Sequence, residues 1–145
     1  MINDVRRLRP DNIVKVKENG RWVTARVVAV MPTFIIAKNP YRQIGNTYDI
    51  ARKEVHGARI SDEWLCSFGW QKIKSEFGDT ELTIKDLKGS GYALHSYNGV
   101  FRFYHGLTPV SREFTSLHEL QNIFEDLIGK PVWIPDMLKP ILASS

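Results

Sequence analysis

Between residues 13 and 30 branched apolar side chains interleave with lysine, arginine and threonine, the two-residue period of a half-buried strand. Asn19-Gly20 interrupts that run with the pair that best tolerates the positive φ angles of a type I′ turn, so 13–17 and 21–30 are predicted to form a hairpin. Pro32 ends or bends the second strand, and Thr33-Phe-Ile-Ile-Ala37 predicts a third, short and largely buried. Beyond the turn signals Asn39-Pro40 and Gly45-Asn46, strands are expected over 47–51 and 54–60.

The period then changes. Ser61 is suited to cap a short helix whose first turn carries Asp62 and Glu63 at the positive end of its dipole, and Gly69 ends it. Trp64, Leu65 and Phe68 fall on one side of that helix, with Cys66 read as a small residue packed near them. Alternation resumes over 71–75, 81–85, 92–97 and 100–105. Asn98-Gly99 joins the last two, which makes paired positions sum to 197 and sets His95 opposite Arg102 rather than His105. Lys88-Gly-Ser-Gly91 is a loop, and Ser116-Leu-His-Glu119 has the form of a capping box. Leu117, Leu120, Ile123, Phe124, Leu127 and Ile128 make the apolar stripe of a helix over 117–128, ended by Gly129 and Pro131. An edge strand is expected over 132–134, followed by a loose tail.

These elements predict an α+β chain. Its three-strand start, long loop and returning strands resemble an SH3-like small β-barrel over 1–60, where the first hairpin and the following loop commonly form the binding face. Over 61–145 an antiparallel sheet covered by one C-terminal helix follows, and the two lobes are expected to pack as one unit. A length of 145 residues with 43% hydrophobic residues is enough for a core that needs no staples. The single cysteine excludes an internal disulfide and the usual cysteine-rich zinc sites. With no signal-like or membrane-length apolar run, the expected setting is a reducing cytoplasm and no membrane partner.

Candidate chemistry is sparse. Cys66 lies beside carboxylates and aromatic rings, the wrong surroundings for a thiolate nucleophile. The four histidines have no metal-ligand spacing, and the Lys88 loop precedes a strand where a phosphate-binding loop needs a helix. No catalytic residue, metal or cofactor is therefore assigned. The clearest polar signal is basic: Arg6, Arg7, Arg9, Lys15, Lys17, Arg21 and Arg26 cluster around the first hairpin with Trp22 among them, a set able to neutralise phosphates and stack on a base. Against it, alternating lysines also keep an exposed strand face wet, and a net charge of +4 is small for a nucleic-acid protein. Tyr92, Tyr97, Phe101, Phe103 and Tyr104 offer a second stacking platform, although aromatic residues also simply favour strands.

Two segments carry a resemblance. Ile60-Ser-Asp-Glu-Trp-Leu-Cys-Ser-Phe-Gly-Trp70 is similar to a Leu-Thr-Glu-Glu-Trp-Leu-Leu-Lys-Phe-Gly-Phe motif, and residues 116–129 are similar to a closing helix with His-x-Leu-Gln-Asn that ends in glycine. Both belong to a family of small proteins from phages, prophages and mobile elements of Bacteroides-type gut bacteria, whose opening strand Leu8 to Val16 also resembles. The matched segments make up roughly a quarter of the chain, and this sequence departs from the pattern at Cys66 and Ser67. The resemblance implies a setting and no catalytic residue: a non-catalytic accessory protein in the cytoplasm of the bacterial host, binding a host or phage macromolecule in host takeover or counter-defence. A virion component, a nucleotide-signal sponge and a nucleic-acid-binding module are the alternatives, and a homo-oligomer is compatible with each.

Overall fold

The computed structural model describes residues 7–41, 48–51, 55–135 and 138. Arg6, Thr47, Glu54 and most of the expected tail lie outside the described residues. Two five-stranded antiparallel sheets and two helices make up the described architecture.

The first sheet contains β1 (Ile13–Glu18), β2 (Arg21–Val30), β3 (Phe34–Lys38), β4 (Tyr48–Ala51) and β5 (Val55–Gly57), in the order β4-β3-β2-β1-β5. Asn19 and Gly20 have φ of 51° and 78°, the two left-handed positions of the predicted turn. A bulge between Val27 and Ala29 resets the β2–β3 register and leaves Val28 on the surface. Val14, Val16, Ala25, Val27, Ile35 and Val55 bury one face of this sheet as a small core of its own. The last strand is shorter than the expected 54–60, because Ala58 and Ile60 turn away into the other core and Arg59 only bridges Ser116.

Helix α1 (Asp62–Ser67) starts as expected: the Ser61 hydroxyl accepts from the Trp64 amide at 3.3 Å, and Gly69, at φ 88°, ends the turn. Trp64, Leu65 and Phe68 are buried, but Cys66 is exposed. The expectation that it packs is wrong, since three consecutive buried directions do not fit on a helix this short and position 66 falls on the outer side.

The second sheet runs β10-β9-β8-β7-β6, from β6 (Gln71–Glu76), β7 (Asp79–Thr83), β8 (Tyr92–Tyr97), β9 (Val100–His105) and β10 (Thr108–Pro109). The β7 strand starts two residues earlier than 81–85 because Phe77 and Gly78, at φ 52° and 83°, form a tight turn. A phenylalanine rarely adopts that angle, so only Gly78 marks the turn in the sequence. Lys85–Leu87 is a single 3₁₀ turn, and His95 does pair with Arg102.

Helix α2 (Leu117–Ile128) lies against this second sheet through Leu117, Leu120 and Phe124, which join Trp70, Leu94 and Phe103 in the larger core. Its start differs from a capping box. The Ser116 hydroxyl donates to the Glu119 carboxylate, and the Leu117 amide is satisfied by the Ala58 carbonyl at 2.8 Å. The backbone just beyond β5 therefore caps the helix. Residues 132–134 form no strand; Val132 is instead buried as a side chain in the core, as is Leu138, whose amide reaches the Pro40 carbonyl at 2.9 Å.

Candidate functional site

Strand alternation divides the basic cluster. In the β1–β2 register Lys17 faces Trp22, Lys15 faces Thr24 and Ile13 faces Arg26, all on the side opposite the first sheet's core. Lys15 also pairs with His56 of β5, and the Trp22 ring reaches that imidazole with centroids 4.1 Å apart. Lys17 and Trp22 therefore form one exposed corner, with Trp22 retaining 44% of its surface. Lys15 sits partly buried beneath it, its ammonium donating to the Thr24 hydroxyl at 2.9 Å, and burial pushes its pKa below the usual lysine value.

The other predicted cations are placed differently. Arg21 is exposed but faces Glu18 in the register and so stands on the opposite side of the hairpin. Arg26 bonds Asp11 at 3.1 Å and the Pro135 carbonyl at 3.3 Å, and Arg9 spans Glu125 and Asp126 of α2 at 3.1 and 2.9 Å. Both arginines hold the scaffold. Arg7 is exposed, with its carbonyl accepting from Asn122. The continuous cationic ribbon expected from sequence is thus reduced to the Lys17–Trp22 corner. The aromatic platform divides in the same way: Phe101 and Phe103 point into the core, Tyr92 packs half-buried beside His105, and only Tyr97 and Tyr104 face outward.

A polar cluster at the start of α2 joins the two sheets. Glu119 would be raised by burial, but the Ser116 hydroxyl and the Arg112 guanidinium more than offset this and hold its carboxyl below the ordinary value. His118 is pushed below the ordinary histidine value of 6.5, chiefly by burial, and its Nδ1 has no partner among the described residues. It packs beside Gly57, where an added Cβ would lie 2.9 Å from the Ser116 Cβ. Because the unfolded chain binds this proton more readily, stability should fall as pH drops below about 6.5 and level off below the lowered folded pKa; loss of Glu119 ionisation acts only at more acidic pH. Urea midpoints measured from pH 7.5 to 5 should show that slope, and His118→Gln should flatten it; an unchanged slope in the variant would refute the assignment.

Among the described residues no group of three or more His, Cys, Asp or Glu is arranged to hold a metal ion, and no helix is long and apolar enough to cross a membrane. Comparison with family models, curated proteins and solved structures returned no match.

Proposed function

We propose that this chain works by non-catalytic binding, as an accessory protein of phage or mobile-element biology that occludes a surface of a host or phage macromolecule in the bacterial cytoplasm, in host takeover or counter-defence. The setting follows from the resemblance of residues 60–70 and 116–129. The binding surface follows from one observation: the half-exposed Trp22 ring, braced by His56 at 4.1 Å and flanked by Lys17, with no core to serve. A rigid aromatic face beside an ammonium suits a base and its phosphate, which favours single-stranded nucleic acid over an acidic protein. The strand order β4-β3-β2-β1-β5 supports reading the first sheet as an SH3-like barrel with this corner on its first hairpin. In this reading 1–60 and 61–145 act as one unit, since α2 is capped from one lobe and packed on the other.

Fluorescence anisotropy with a labelled single-stranded oligonucleotide tests the reading. Affinity should fall linearly on a log–log salt plot. Lys17→Ala should reduce the slope by about 0.7, and Trp22→Ala should cost about 1–3 kcal/mol of binding. Binding that ignores salt and both variants would overturn it.

A further inference from the structure

The outer face of the second sheet carries an open groove of about 690 Å³ that the nucleic-acid reading leaves unused. Its floor is the set of side chains that alternation turns away from the core, His95 and Tyr97 from β8 with Arg102 and Tyr104 from β9. Leu107, almost fully exposed in the β9–β10 turn, and Tyr97, whose ring lies over Gly78 yet stays 57% exposed, leave apolar surface open there. Such surface on a concave face is where a partner segment gains most from being covered.

The charge of the groove selects the segment. Asp79 and Glu113 line it beside the Arg102 guanidinium, so the lining carries one carboxylate more than it has fixed cations, while Glu81 behind His95 faces Lys74 across the β6–β7 register. That guanidinium, Arg102, already donates through Nε to the Ser111 carbonyl at 2.8 Å and lies 3.8 Å from Glu113 through Nη1. His95 lies between Asp79 at 3.4 Å and Glu81 at 3.5 Å. The lining is negative by one charge on a chain whose net charge is +4. Tyr97 and Tyr104 add ring faces, whose quadrupoles attract a cation.

We propose that this groove binds an arginine-bearing extended segment of a partner protein, with the guanidinium held by Asp79, Glu113 and the two tyrosine faces. The site is separate from the Lys17–Trp22 corner and has the opposite charge preference, so the chain would present one face to phosphate and another to a basic peptide.

The test is a titration of the ¹⁵N-labelled full chain with nona-arginine and, separately, with nona-citrulline, which keeps the shape and loses the charge. Nona-arginine should shift the amides of Asp79 and of residues 93–107, and nona-citrulline should not. Asp79→Asn combined with Glu113→Gln, both at exposed positions, should weaken the shift-derived affinity about fivefold, while oligonucleotide binding by the same variant stays unchanged. Equal response to citrulline, shifts centred on Glu125 and Asp126 instead, or the same shifts on raising protein concentration without peptide would each overturn the proposal, the last by assigning the groove to a second copy. None of these outcomes bears on Trp22.

Discussion

Gln121→Met is expected to destabilise the chain by about 1–3 kcal/mol, although methionine matches glutamine in length and is more apolar. Gln121 is buried on α2 and uses both ends of its amide: the oxygen accepts from the Ile13 amide at 2.8 Å, and the nitrogen donates to the Asp11 carbonyl at 2.8 Å. Ile13 is completely buried, so its N–H has no access to water once the oxygen is gone and bears the full cost of an unmade bond, whereas Asp11 is exposed and its carbonyl recovers a partner from solvent. Asn12 and Asn122 bond side chain to side chain at 2.9 Å one residue along, so in the seam between β1 and α2 polar pairs flank the apolar contact that the Ile13 side chain makes with the α2 core. Thermal unfolding should show a midpoint lowered by roughly 2–12 °C for a chain of this size. Gln121→Glu should recover part of the loss, since a carboxylate still accepts from Ile13 but cannot donate to Asp11. A methionine variant as stable as the parent would mean that the amide pair does not hold β1 against α2.

That seam shows where sequence reasoning stops. The stripe of Leu117, Leu120 and Phe124 was legible because it repeats at helical spacing and meets a sheet whose alternation is equally plain. Gln121 and Asn122 sit beside that stripe and look like ordinary solvated positions; their partners are more than a hundred residues away, and no local pattern encodes that distance. Arg9 and Arg26 were misread for the same reason. A basic cluster in sequence counts charges without showing which of them a carboxylate from another element has already taken. Arg21 is different, since counting alternate residues from Lys17 across the Asn19-Gly20 turn puts it on the other face, and that inference needed no coordinates. The same count applied to 100–105 separates Phe101 and Phe103 from Arg102 and Tyr104, which is the step that exposes the groove. Phe77 was not recoverable, because its left-handed backbone is imposed by the strands on either side against the preference of its side chain.

The division of β9 into two faces leads to the largest expected effect, Phe103→Ala. Phe103 is fully buried, with ring centroids 5.8 Å from Phe114, 6.4 Å from Trp70 and 6.5 Å from Phe124, so it touches the return segment, the α1–β6 junction and α2 at once. Truncation removes the ring's transfer free energy and leaves a cavity that three separate elements would have to move to fill, for a loss of about 3–5 kcal/mol against a net stability of order 5–15 kcal/mol. Phe101→Ala on the same face should cost less, because Phe101 has Phe114 as its aromatic neighbour at 6.3 Å and keeps slight exposure. Tyr97→Ala on the outer face should stay within about 0.5 kcal/mol of the parent. Urea unfolding of the three variants therefore orders them Phe103, Phe101, Tyr97. If Tyr97→Ala proved as costly as Phe103→Ala, the outer face would be part of the core, and the groove with its acidic lining could not be a free surface.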